Sequence, residues 1–157
     1  MTEGAARLGE VTAAELSYDM MGSRLRQIGD LRIHYGMLGS RPEAIGPYAL
    51  DYDMLGNRLR HVGDHRIEYD MLGNRPCRVG GLELKYDQLG NRLRRIGDVT
   101  VDYDMAGTRV HRIGNLTVEY DMLGSRPRYL QPTGDEALGE WMCVVAFLVL
   151  VAFAPDS

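Results

Sequence analysis

The sequence predicts an all-β repeat protein: seven tandem 17-residue β-hairpins forming an antiparallel meander or solenoid-like array, plus one C-terminal hydrophobic α-helix. Three observations carry that reading. Tyrosines fall at positions 18, 35, 52, 69, 86, 103 and 120, every interval being 17 residues, so internal repetition governs the fold. Within each phrase apolar and polar residues alternate and glycine returns at fixed offsets, the pattern of short strands joined by tight turns. After Gly134 the pattern stops, and 14 apolar residues run unbroken from Trp141 to Ala154.

Three segments follow in order: an N-terminal cap over 1–13, the seven-repeat β array over 14–130, and a linker with the hydrophobic helix over 131–157. In the cap, "RLGEVT" (7–12) echoes "RIGDVT" (95–100), which reads as half a repeat. In the array, "VTVDY" (99–103) places Val99, Val101 and Tyr103 on one face of a half-buried strand. "DMLG" or "DMAG" follows, where Asp opens a type I turn and Gly takes the left-handed position of a bulged hairpin. The return strand, such as "RLRRI" (92–96), ends in Gly-Asp, Gly-Asn or Gly-Gly, which suits a type II′ turn. Its apolar residues sit seven and ten after the Tyr, a spacing of three. Pro occupies the first of these in three repeats (Pro42, Pro76, Pro127), so a bulge, a kink or a partly paired strand is expected there. The whole array amounts to about 14 short antiparallel strands.

Arg stands six residues after every repeat Tyr, and Asp stands directly after six of the seven, Gly36 being the exception. Asp19 and Arg24, Asp53 and Arg58, Asp70 and Arg75, Asp87 and Arg92, Asp104 and Arg109, and Asp121 and Arg126 therefore flank six turns as a structural charge ladder. Such cross-strand pairs contribute roughly 0.2–1 kcal/mol each. A phosphate-binding Arg stripe is the alternative, opposed by the near one-to-one Asp partners. Phrases such as "LDYDMLGNRLR" (50–60) resemble the YD repeats of Rhs-type proteins, bacterial toxin-complex shells and teneurins, over roughly residues 14–130. The resemblance implies strands spiralling into a β-shell, sometimes around a toxin; what it implies for this chain is a repeat scaffold.

The chain has 157 residues, 45% hydrophobic and 25% charged, which excludes a disordered chain. Lys85 is the one lysine. Residues 1–130 hold 18 basic and 18 acidic side chains, so the net charge of −4 lies entirely in Asp135, Glu136, Glu140 and Asp156. A neutral body gives no reason to expect nucleic acid. Cys77 and Cys143 stand in no metal-ligand or disulfide spacing, and His34, His61, His65 and His111 do not recur in register. No metal, no cofactor and no catalytic residue is predicted, and the chain is not expected to be an enzyme. The Met column (Met20, Met37, Met54, Met71, Met105, Met122) is either an adaptable contact surface or a cover for neighbouring turns. The Tyr column reads as core.

Asp135 and Glu136 suit the first turn of a helix over 135–154, roughly 30 Å long at 1.5 Å per residue. Its second half is apolar all round, so Trp141, Met142, Val144, Val145, Phe147, Leu148, Val149, Leu150, Val151 and Phe153 must be covered. Lipid, a second copy and the chain's own sheet are the three candidates. Inside a closed barrel of ~17 Å strands such a helix would protrude. A spanning tail, with Arg126 and Arg128 on its N-terminal side, predicts membrane association with the repeats in the cytoplasm; otherwise the N-terminus, which lacks a signal peptide, predicts a cytoplasmic chain. The first expectation is a non-catalytic scaffold held on a lipid bilayer by its helix and self-associating as a homo-oligomer through open strand edges. A membrane-perturbing effector with the repeats as its platform, and a nucleic-acid-binding array, are the alternatives.

Overall fold

Each repeat Tyr ends one strand, and the residue seven later opens the next. In a computed structural model of the chain, the described residues are 13–19, 24–36, 41–53, 58–71, 75–87, 92–105, 109–121, 126–133 and 138–153. Among them are fourteen strands: β1 (Ala14–Tyr18), β2 (Leu25–Ile28), β3 (Leu31–Tyr35), β4 (Pro42–Ile45), β5 (Tyr48–Tyr52), β6 (Leu59–Val62), β7 (His65–Tyr69), β8 (Pro76–Val79), β9 (Leu82–Tyr86), β10 (Leu93–Ile96), β11 (Val99–Tyr103), β12 (Val110–Ile113), β13 (Leu116–Tyr120) and β14 (Pro127–Pro132). The proposed cap residues 1–12 and most of each "DMLG" turn, with Met20, Met37, Met54 and Met122, lie outside the described residues.

Every strand pairs antiparallel with its sequence neighbours, as a meander does, but β1 also pairs with β14 through Ala14↔Leu130 and Glu15↔Tyr129. The array is thus a closed barrel, which corrects the expectation of an open or solenoid-like one. The physical reason lies in the return strands. In the first hairpin Tyr18 opposes Leu25 and Ser17 opposes Gln27, so Arg26 has no partner. The same register shift recurs in all seven Tyr hairpins. A bulge bends its strand and increases its twist. Seven bends of one sense bring the last strand back to the first. The bulge also explains the spacing of three. With one extra residue on the outer side, Leu25 and Ile28 both face inward and are buried. Pro42, Pro76 and Pro127 oppose the Tyr residues, one position before the bulge.

The other turns are tight. Gly29, Gly46, Gly63, Gly80, Gly97 and Gly114 have φ of 55–59°, a region that L side chains rarely adopt. At Gly46 a Cβ would also lie 2.5 Å from Leu31 Cδ2. The N–H of each of these glycines donates to the strand before, as Gly29 does to the Glu15 carbonyl at 2.9 Å.

Small barrels are filled by their own side chains, while the widest leave a channel. Fourteen strands lie between those limits, and here a helix fills the space. It is α1 (Glu140–Phe147), extended by a π-helical turn over Leu148–Ala152. These 13 residues measure about 20 Å at 1.5 Å per residue, close to the ~17 Å of a five-residue strand. The described helix starts at Glu140, after the non-helical Leu138 and Gly139; Asp135 and Glu136 of the predicted first turn lie outside the described residues, and a helix of about 20 Å does not call for the protrusion argued from one of about 30 Å. Cys143 to Val149 are buried against Leu16, Ile28, Ile45, Ile67, Val79, Val101 and their equivalents on the inner wall. Of the three covers open to the apolar run, the structure shows the chain's own sheet. Among the described residues no helix is long and apolar enough to cross a membrane.

Candidate functional site

Two constellations have functional character: a ring of Tyr, Arg and Asp at one end of the barrel, and the mouth at the other end where the helix enters. The ring is built by the repeat. Each Asp backbone N–H donates to the carbonyl of the Arg five residues on, at 2.9–3.1 Å, closing the hairpin loop. The same two residues meet through their side chains. Arg Nε lies 2.8 Å from the carboxylate in Arg24–Asp19 and Arg92–Asp87, 2.9 Å in Arg58–Asp53, 3.1 Å in Arg109–Asp104, 3.5 Å in Arg75–Asp70 and 3.6 Å in Arg126–Asp121. The structure thus brings together all six pairs of the charge ladder.

The same six arginines, and Arg41 of the repeat that has Gly36 in place of Asp, also reach the next repeat. Each guanidinium stacks over the following Tyr ring at 4.1–4.7 Å, from Arg24 over Tyr35 round to Arg126 over Tyr18. Each Tyr hydroxyl then donates to a carbonyl of the preceding return strand at 2.6–2.9 Å. The acceptors include Pro42, Pro76 and Pro127. Proline is tolerated there because the position supplies a carbonyl and needs no N–H. Tyr18 bonds to Pro127, so the seam carries the same contact as the six covalent junctions. Burial pushes the Tyr18, Tyr52 and Tyr120 hydroxyls up to about 12, with the neighbouring guanidinium opposing the shift.

One repeat departs from the pattern. Gly36 replaces Asp, and the Glu43 carboxylate lies 2.6 Å from where a Cβ on Gly36 would stand. Glu43 therefore occupies the space of the missing Asp side chain. Its equivalents are Arg26, Arg60, Cys77, Arg94, His111 and Arg128, so the acid occurs only in the repeat that lacks the Asp.

At the opposite end, the first residues of the inward-facing strands form a mouth of Ala14, Leu31, Tyr48, His65, Leu82, Val99 and Leu116. Tyr48 donates to Glu140 Oε1 at 3.2 Å. Trp141 packs against Tyr48 at 6.2 Å and edge-on against His65 at 4.5 Å between ring centroids. Sequence reasoning missed both contacts, since neither Tyr nor His recurs at that position of the repeat. Their signal was that they interrupt a column otherwise made of aliphatic residues. Deeper in, Val144, Val145, Phe147, Leu148 and Val149 are buried. Trp141, Met142, Leu150 and Phe153 are half-buried, and Val151 is exposed.

The remaining candidates offer little chemistry. A cleft of about 480 Å³ is lined by Asp104, Arg109, Val110, His111, Val118, Tyr120 and Asp121, most of them members of the ring. His61 Nδ1 lies 3.3 Å from Asp51 on the outer wall. Among the described residues no three His, Cys, Asp or Glu side chains form a metal-binding group. Met71 and Met105, the two members of the Met column that are described, are fully exposed. The outer wall carries Arg78, Glu83, Lys85, Arg94 and Arg95, where a membrane-spanning barrel would carry an apolar band. No protein-family model, no curated protein and no solved structure matches the chain.

Proposed function

We propose that this chain is a non-catalytic scaffold: a closed repeat barrel with its own helix as core, which associates with further copies through its loop-bearing rim. The observation that carries the reading is the seven-membered ring. The Tyr, Arg and Asp columns are the richest source of chemical groups in the sequence, and each makes bonds that hold one repeat to itself or to the next. A scaffold is also what the YD-repeat resemblance implies. Because β1 pairs with β14, association by strand edges has no edge to use. The rim does have exposed apolar groups in Met71 and Met105, flexible side chains suited to adaptable contact. The seat of the helix in the lumen argues against lipid attachment through it, because seven buried residues would have to be withdrawn first.

Sedimentation of the full chain over a range of concentrations tests this proposal. Association that weakens in the Met71→Ser/Met105→Ser variant, with unchanged circular dichroism, is the expected result. A chain that stays monomeric throughout, or a variant that associates equally well, overturns it.

A further inference from the structure

The lumen has seven like walls, one per repeat. Every wall offers an aliphatic residue from the first strand (Leu16, Ile33, Leu50, Ile67, Leu84, Val101, Val118) and another from the return strand (Ile28, Ile45, Val62, Val79, Ile96, Ile113, Leu130), all buried. An α-helix of 3.6 residues per turn advances about 100° per residue, just under two sevenths of a turn. Seven residues therefore make close to two turns and visit each wall about once. The uninterrupted buried run of the helix, Cys143 to Val149, is seven residues long.

The contacts at the mouth follow this count. Trp141 meets His65 on the fourth wall. Met142 Cε lies 3.6 Å from the Cβ position of Gly114, which is itself 3.3 Å from Val99 on the sixth. Cys143 Sγ lies 3.8 Å from the Cβ position of Gly29, which is 3.3 Å from Ala14 on the first. Each residue steps two walls onward. This explains why the helix is apolar all round: no face of it points away from a wall.

Such a match creates an ambiguity. A helix turned by one seventh meets aliphatic walls again, and the non-directional hydrophobic contacts barely separate the settings. We infer that the lumen is a helix-binding socket with sevenfold near-equivalent settings, and that Tyr48 and His65 are the specificity-determining residues that select one of them. Five of the seven mouth positions are aliphatic (Ala14, Leu31, Leu82, Val99, Leu116). The two that are not stand side by side and engage the first two residues of the helix, Glu140 by a hydrogen bond and Trp141 by ring contacts. The ligand of the socket is an apolar heptad preceded by an acid and an aromatic residue.

Disulfide capture in the full-length chain, in a Cys77→Ser background, tests the inference. Ala14 and Cys143 both approach the same point at Gly29, so Ala14→Cys should cross-link to Cys143 on oxidation. The selector is then moved on by one wall with Tyr48→Leu, His65→Tyr and Leu82→His. The expected result is that cross-linking shifts at least tenfold from Ala14→Cys toward Leu31→Cys. Cross-linking that stays at position 14 overturns the inference. Should the triple variant not fold, Tyr48→Leu/His65→Leu removes the selector instead. Comparable yields from Ala14→Cys and Leu31→Cys then support the inference, and capture by position 14 alone refutes it.

Discussion

Phe147→Ala is the sharpest test of a lumen packed around one helix. Phe147 has no exposed surface and heads the fully buried side chains by volume. Truncating a buried Phe costs about 3–5 kcal/mol, the spread reflecting how far the surroundings collapse into the cavity. Collapse is restricted here, because the wall is a closed ring of strand pairings whose circumference cannot shrink without breaking them. The upper half of that range is therefore expected. For a chain of this size each kcal/mol lowers Tm by about 2–4 °C, so a fall of roughly 8–20 °C should follow. Thermal and urea unfolding by circular dichroism measure it, with Phe153→Ala, half-buried at the end of the helix, as the milder control. The apolar cavity should also take up benzene or xenon and regain part of the lost stability. A loss below about 1 kcal/mol with no response to benzene would refute a helix seated in the lumen.

Two further outcomes follow from the same geometry. Tyr18, Tyr52 and Tyr120 titrate near 10 when unfolded and are pushed up to about 12 when folded, so the folded chain holds more protons between those values. Stability should be intact below pH 10 and fall as pH rises toward 12, with most of the phenolate absorbance appearing as the barrel opens; a flat profile across that window would count against the hydroxyl–carbonyl ring. Cys77 is half-buried, while Cys143 is buried in the lumen with its thiol pushed up to about 11 by burial. A thiol reagent followed by mass spectrometry should label one cysteine per native chain and two after denaturation.

The repeat, its strands and its Asp–Arg pairs were legible because they are local: the partners lie within one hairpin. The Arg–Tyr stacking was not, although both columns are complete, because Arg24 meets Tyr35 eleven residues on, across a Gly-Asp turn whose geometry had to be known first. Closure was hidden for a related reason. Leu25 and Ile28 showed that the return strand was irregular, but how far seven bulges bend the sheet is a sum that no single repeat reveals. The environment of Trp141 to Phe153 was ambiguous in principle, since a bilayer and a sevenfold lumen both require a helix that is apolar on every side. Glu43 carried a readable signal: it is the one acid in its column, and it stands in the one repeat where Asp is replaced by Gly36.

The position of the seam accounts for how the helix reaches the lumen at all. Every other return strand is tied to the next first strand by a glycine turn at the mouth, as Ile28 is to Leu31 through Gly29 and Asp30. β14 and β1 are paired without one, held by Ala14↔Leu130 and Glu15↔Tyr129 and, at the far end, by Tyr18, Pro127 and Arg126. Where the missing turn would stand, the chain instead runs on past Pro132, and the Thr133 N–H donates to the Asn115 carbonyl at 2.8 Å. The chain thus leaves the wall at the mouth, beside the ring of residues that Glu140 and Trp141 contact. A repeat array that closed with a seventh glycine turn would have no strand end from which to lead a segment inward. The break in the repeat is what lets one chain supply both the socket and the helix that fills it.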